Sequence, residues 1–271
     1  MSLRHKLYWF AVVSLVIALS FYGAKHATFH IKAYAQITAT PFVAETDVYE
    51  FPANPQGTLF LKSVVARRSD GSTAEVGSKA PIWNASVRKI TFMNGSTVSV
   101  YDFVSAKTSF QMKSQELAAL KNRITNSPVD CVNRRDVQVI DRQALFGQQF
   151  IVQQHSVHLK GQTFPGVPAG TLAEESRMTE WLAPQLGCER LGYRFEAKQL
   201  DGSYRLITEA RLISLEMKEP EPAFFDPAAN FEELLPSEIW RRHYQKIGQP
   251  EPKEMEEQGK KADQYHKDHQ Q

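Results

Sequence analysis

Residues 171–217 read TLAEESRMTEWLAPQLGCERLGYRFEAKQLDGSYRLITEARLISLEM. In the middle of this stretch Leu191, Tyr193, Phe195 and Ala197 alternate with Arg190, Arg194, Glu196 and Lys198. That is the period of a strand with one wet face and one face turned to a core. A strand-like run precedes it and ends in Ala183-Pro184-Gln185-Leu186-Gly187; another follows Asp201-Gly202-Ser203, with Tyr204, Leu206, Ala210 and Leu212 on one side and Arg205, Glu209 and Arg211 on the other. Three consecutive strands joined by turns argue for an antiparallel sheet rather than strand-helix-strand units.

The same signals recur upstream. Phe42 to Phe51 and Leu59 to Arg68 have strand composition, the second nearly continuous in apolar residues, and Asp70-Gly71-Ser72 marks a turn. The small and polar run from Ser72 to Pro81 predicts a loop. Val87 to Met93 and Thr97 to Val104 flank Asn94-Gly95, a pair that tolerates positive φ at both positions and predicts a two-residue hairpin. Phe146 to Val152, extended through His155 to Leu159, predicts one more strand. Ser114 stands where a helix cap belongs, and Leu117, Leu120 and Ile124 share one face of a short amphipathic helix that must lie against the sheet. The fold expected is mainly β (α+β), a curved antiparallel sheet or half-open barrel with one or two short helices.

At the N-terminus Arg4, His5 and Lys6 precede an uncharged run, Leu7 to Ala24, and Ala33-Tyr34-Ala35 has the small-x-small form of a cleavage site. Residues 1–35 read as a signal peptide, or as an uncleaved anchor, since eighteen residues at about 1.5 Å each fall just short of the ~30 Å of a bilayer core. Either way the bulk of the chain is extracytoplasmic, periplasmic or secreted, and the membrane enters only through residues 7–24. The expected organisation is a β-rich domain over 36–227, a terminal helical segment over 228–248 with Trp240, Tyr244 and Ile247 at helical spacing, and a disordered polar tail over 249–271.

The 271 residues carry 32 Lys and Arg against 30 Asp and Glu, so no field draws in nucleic acid. Two cysteines, Cys131 and Cys188, most simply form a disulfide in an oxidising compartment; two separate buried thiols are the alternative, and zinc spacing is absent. His155 and His158 form an H-x-x-H pair near Glu174 and Glu175. Positions three apart in a strand point to opposite faces, so no metal site is expected. No nucleophile motif or picked-out carboxylate pair supports an enzyme, so no catalytic residue and no cofactor is expected. Trp181 is either an aromatic platform or core packing.

Thr179-Glu180-Trp181-Leu182-Ala183-Pro184-Gln185-Leu186-Gly187, a strand ending in Trp, then a Pro and Gly turn into another strand, resembles a hairpin of the periplasmic lipoprotein-carrier (LolA-like) superfamily. With the upstream hairpins the resemblance covers about residues 42–217. The chain also resembles uncharacterised secreted bacterial proteins sharing Leu186-Gly187-Cys188 and the segment Glu219 to Asp226. The carriers are half-open antiparallel barrels closed by helices, with an apolar cavity for acyl chains; this chain departs from them in having one clear internal helix. The resemblance implies a non-enzymatic binding module for an apolar ligand, a lipid or apolar peptide, with Phe150, Trp181, Leu191, Tyr193 and Phe195 as groove candidates. The alternatives are a structural or protein-interaction module of the cell envelope with a filled core and, least, a hydrolase.

Overall fold

The computed structural model describes residues 39–51, 54–79, 82–125, 131, 137–158, 164, 167–168 and 170–269; the N-terminal segment read as a leader lies outside them. Twelve strands form one sheet: β1 Phe42–Glu50, β2 Thr58–Arg67, β3 Thr73–Lys79, β4 Ile82–Thr91, β5 Ser96–Tyr101, β6 Ala106–Gln111, β7 Val137–Leu145, β8 Gln148–His158, β9 Leu172–Ala183, β10 Glu189–Gln199, β11 Tyr204–Glu216 and β12 Glu232–Glu233. The order is β12-β6-β5-β4-β3-β2-β1-β11-β10-β9-β8-β7, with β1 closing the two halves by pairing β2 on one side and β11 on the other. Every ladder is antiparallel except the two-residue β12–β6 contact. The sheet is open, since β12 and β7 stand at opposite edges. Among the described residues three α-helices accompany it: α1 Ser114–Thr125, α2 Pro236–Lys246 and α3 Lys253–Asp268.

The turns repeat one device. Asp70-Gly71-Ser72, Asn94-Gly95-Ser96 and Asp201-Gly202-Ser203 each put the Asp or Asn side chain on the Ser backbone N–H, at 2.8, 2.9 and 2.9 Å, with the Gly at positive φ. The ladder closes one residue to either side of a three-residue loop, as in Phe92 N–H to Ser96 O at 2.8 Å. The Asn94-Gly95 hairpin is thus present, but Met93 joins its loop and the turn is not the two-residue form. Gly supplies the left-handed conformation, and the short acid or amide supplies the hydrogen bond that holds it.

Because the register is fixed by these turns, the faces can be traced strand by strand. One face carries Phe42, Ala44, Thr46, Val48 and Glu50 of β1, and through the pairings Leu61, Ser63, Val65 and Arg67 of β2, Thr73, Glu75, Gly77 and Lys79 of β3, and Val87 and Lys89 of β4. In the other direction it continues through Ala210, Tyr193, Glu180 and Gln153. This face is concave. Thr46 Oγ1 reaches the carbonyl of Leu191 at 3.5 Å and Arg67 reaches Glu189 at 2.6 Å, both over the intervening strand or strands.

The packed side changes from one half of the sheet to the other. On the convex face of β2–β5 lies the segment after β11: Phe224 and Phe225 pack on Ala66, Ala74 and Ile90, and Ala228 and Phe231 on Val98 and Val100. The convex face of β9–β11 instead meets solvent with cross-strand ion pairs. Arg177 grips Glu196 at 2.8 and 2.9 Å, and Arg194 and Arg211 share Glu209 at 2.9 and 2.7 Å. The apolar filling of this half lies on the other side, where Phe195, Ala197 and Met178 are covered by Phe164 and Val167. A third cluster, Phe42, Ala44, Phe150, Ala183, Leu186, Leu191 and Leu215, forms where the β9–β10 turn lies over the ends of β1 and β11.

Helix α1 ties these parts together. Leu117 approaches the Asn94-Gly95 turn, and Ile124 is buried at the far end, where a Cβ on Gly187 would overlap the carbonyl oxygen of Arg123. The Cys131–Cys188 disulfide, with Cα atoms 5.5 Å apart, pins the chain after the helix to the start of β10, as expected.

Four expectations are corrected. The run Ser72 to Pro81 contains β3, a strand held by ladders on both sides, so pairing overrides the poor strand propensity of Gly77 and Ser78. The strand expected from Phe146 to Leu159 is present as β8 but begins only at Gln148: Phe146 and Gly147, both at positive φ, form the two-residue turn that joins it to β7. The β-rich region does not end at 227, because β12 adds to the same sheet. The tail expected to be disordered forms α3. Met255, Gly259, His266 and His269 are its buried stripe, and Asp263 accepts hydrogen bonds from the backbone N–H and hydroxyl of Ser237 at 2.9 and 2.6 Å, capping the first turn of α2.

Candidate functional site

The structure separates the five residues expected to line a groove. Phe150 and Leu191 are 1% and 2% exposed within the cluster under the β9–β10 turn. Phe195 faces the concave side but lies beneath Phe164, ring centroids 5.6 Å apart. Trp181 follows Glu180 and so turns to the opposite side of β9, half-buried, its indole N–H donating to Gln143 Oε1 at 3.0 Å. Tyr193 faces the concave side in a row with Glu180, Ala210, Val48 and Leu61, and packs with Val48, Ala210 and Leu61 in a further apolar cluster. His155 lies on the concave face, 3.7 Å from Glu180, whereas His158 pairs with Glu175 on the convex face.

What lines the open concave surface is a set of charges that the sequence pattern does not single out. Glu75 and Lys89 are register partners on β3 and β4. Burial pushes the Glu75 carboxyl up and the Lys89 ammonium down, against the mutual attraction that favours both charges. Two residues beyond Gly77, Lys79 is pushed down to about 8, again by burial, with Glu50 across from it pushed up to about 7. Glu75 nevertheless keeps a large accessible surface. A group that is accessible and desolvated at once is one that stands on the wall of a concavity, with protein on all sides but one.

Toward β9 and β10 the charges continue as direct pairs. Arg190 Nη1 meets Glu180 Oε1 at 2.9 Å, and Gln153 Nε2 donates to the other oxygen of Glu180 at 3.0 Å. Arg67, 1% exposed, donates to Glu189 and to the carbonyl of Leu186 at 2.8 Å. The field of Glu189 and Arg190 is felt at Glu75, although four ladders separate β3 from β10 along the sheet. Between the charges stand Leu61, Val65 and Val87, so the surface is amphipathic, and Gly77 leaves a gap in it.

The surface has two borders. The pair α2–α3 lies on the concave face of β5 and β6: Trp240 packs edge-on to Tyr101 at 6.3 Å, and Tyr265 and His269 pack against Phe110 at 5.6 and 6.0 Å. Helix α1 with the β9–β10 turn closes one end. Among the described residues no helix is long and apolar enough to cross a membrane, and no group of three or more His, Cys, Asp or Glu side chains is placed to hold a metal ion.

No family model and no curated protein matches the chain. Solved structures similar to it include lipoprotein-carrier-type folds, the kind of fold named by the hairpin resemblance. The complex of Pseudomonas aeruginosa MucA and MucB aligns at 14% identity and a TM-score of 0.39, over 72% of this chain and 58% of that one. LprF from Mycobacterium bovis aligns at 11% identity and 0.29, over 68% and 90%, and the Mycobacterium tuberculosis lipoprotein LppX at 8% and 0.30, over 67% and 89%. The chain thus spans less than two thirds of the MucB-type match, and likeness at these TM-scores carries nothing about ligand or partner.

Proposed function

We propose that this chain is a non-enzymatic, extracytoplasmic binding module that takes an amphiphile on the concave face of its sheet between β1 and β5. The observation that carries the reading is the different packing of the two faces of this half. Phe224, Phe225, Ala228 and Phe231 seal the convex face, while on the concave face Val87 stands among Glu50, Glu75, Lys79 and Lys89, with the packed side chains of Leu61 and Val65 beside it. An apolar floor broken by charges suits a molecule with an apolar body and a polar end better than a bare hydrocarbon. The extracytoplasmic placement rests on the leader-like N-terminus, with cleavage before Gln36, and agrees with the disulfide.

A second reading, the interaction module with a filled core, is favoured by the burial of Phe150, Leu191 and Phe195 in packed clusters. Uptake of a fluorescent fatty acid separates the two. Val87→Asp, on the concave face, should weaken uptake by about tenfold or more, while Arg194→Ala, on the convex face, leaves it unchanged, with circular dichroism confirming both folds. A well-folded wild-type chain that takes up no apolar probe supports the filled-core module instead.

A further inference from the structure

After β11 the chain leaves the half of the sheet it has just completed and wraps the other half. Residues 216–219 are exposed, and from Pro220 the chain crosses the convex face to β12 on the outer edge of β6, then to α2 and α3 on the concave face of β5 and β6. Its seat on the convex face is a built pocket. Ala66 and Ala74 are register partners on β2 and β3, and Ala74 faces Ile90 on β4; the two short side chains leave a hollow that the Phe225 ring fills. Arg68 lies over that ring at 5.4 Å and meets Glu219 at 3.6 Å, and the Ser69 N–H donates to Glu219 Oε2 at 3.1 Å. Arg88 and Lys107 donate to the carbonyls of Ala223 and Ala228 at 2.6 and 3.2 Å.

Two features make this arm separable from the strands it covers. Among the described residues, the backbone–backbone hydrogen bonds of residues 217–231 run within the segment, as from Phe224 to Glu221 and from Phe231 to Ala228, and ladder pairing with the sheet begins only at Glu232. Pro220, Pro222 and Pro227 hold the segment extended, with Glu221 at φ −61° and ψ 141°, so a released arm keeps the shape that the groove accepts and re-docks with little loss of chain entropy. We infer that the arm, residues 220–269, is exchangeable, and that its second seat is the same groove on another copy of this chain, giving a reciprocal dimer. Complementarity selects this occupant. The alanine hollow, the guanidinium over a ring and the donors to two carbonyls all fit this segment, and a swapped pair repeats each of those contacts. Closed monomer and dimer differ at the link of Met217 and Lys218, so the length of that link sets the balance between them.

The test shortens the link in the otherwise full chain. Deleting Met217 and Lys218 removes roughly 7 Å of reach between Glu216 in β11 and Glu219 at Ser69, so the arm no longer spans to its own groove but still reaches a partner's. After refolding from urea, light scattering should give twice the monomer mass for the shortened chain and the monomer mass for most of the chain with the full link, with the same circular dichroism for both. The variant Ser69→Cys/Glu219→Cys locates the contact. Oxidised, the shortened chain carrying it should run as a covalent dimer without reductant, and peptide mapping should place the new bond between copies. With the full link the same pair should close mostly within one chain, and the share of covalent dimer should rise with protein concentration during refolding. A shortened chain that stays a folded monomer, or a dimer whose introduced cysteines do not join copies, overturns the exchange. If the shortened chain does not fold, the full-link variant decides: no covalent dimer at any refolding concentration overturns it equally.

Discussion

Arg67 and Glu189 belong to strands that have β1 and β11 between them, yet their side chains meet at 2.6 Å. Three ladder steps in a flat sheet would separate their strands by roughly 14 Å, so the contact measures the curl that turns this face inward. Arg67 also donates to the carbonyl of Leu186 at 2.8 Å and lies 4.9 Å from the centre of the Phe42 ring. It thus holds the β9–β10 turn against the edge of β2 and fixes one end of the concave surface.

Replacing it should be costly. Burial already pushes the Arg67 guanidinium below its ordinary range, with Glu189 offsetting part of that. Arg67→Ala leaves Glu189 and the Leu186 carbonyl unanswered, and urea unfolding should show a loss of about 3–5 kcal/mol. A loss under about 1 kcal/mol would mean that the curl does not depend on this contact.

The polar C-terminal helix should be part of the domain. Deleting residues from Gln249 onward removes the Asp263 cap of α2 and bares Phe110, so the melting temperature should fall by several degrees. Asp263→Ala alone should cost about 1 kcal/mol, some 2–4 °C in a chain of this size. A melting temperature unmoved by the deletion would show that α3 does not dock.

Stability should dip near neutral pH through Glu50 and Lys79. Glu50 titrates at about 7 in the fold against an ordinary 4.5, so its favourable contribution is full below 4.5 and is lost as pH rises through 7. Lys79 titrates at about 8 against an ordinary 10.5, so its contribution is full above 10.5 and is lost as pH falls through 8. The pair is least favourable between these values. The double variant Glu50→Gln/Lys79→Met should gain roughly 1–4 kcal/mol over wild type near pH 7.5, and less at pH 5. A pH-independent difference between the two proteins would contradict the desolvation of this pair.

Reducing the Cys131–Cys188 bond, which spans 57 residues, should lower stability by about 4 kcal/mol in the chain-entropy picture. It should also loosen α1, whose last turn lies against Gly187 beside the bond. Protection of the α1 amides from hydrogen exchange that is the same in the oxidised and reduced chains would separate the helix from the disulfide.

The central strands were legible because their two faces differ in chemistry: Leu191, Phe195 and Ala197 are buried, Arg194 is exposed, and the alternation says as much. The helix α1, the disulfide and the Asp-Gly-Ser turns carry equally local signals. Phe146-Gly147 gave none, because a Phe at positive φ is not how a two-residue turn is usually written. Helix α3 was missed because, Met255 apart, its buried side is built from Gly259 and His266, with His269 just past its end, small or polar residues that a hydrophobic pattern does not register. The candidate site was the least legible part. Glu50, Glu75, Lys79 and Lys89 look like the wet positions of ordinary strands, and only the curl of the sheet makes them the lining of a concavity. The aromatic residues that looked like groove walls are mostly the packing that produces that curl.

The most direct measurement of whether the concave face is a binding surface is native mass spectrometry, with lipid extraction, of the full chain purified from its own host. One bound amphiphile per chain is expected, and Val87→Asp purified in the same way should carry less of it. A folded wild-type chain that carries no amphiphile and acquires none when offered a fluorescent fatty acid would contradict the account.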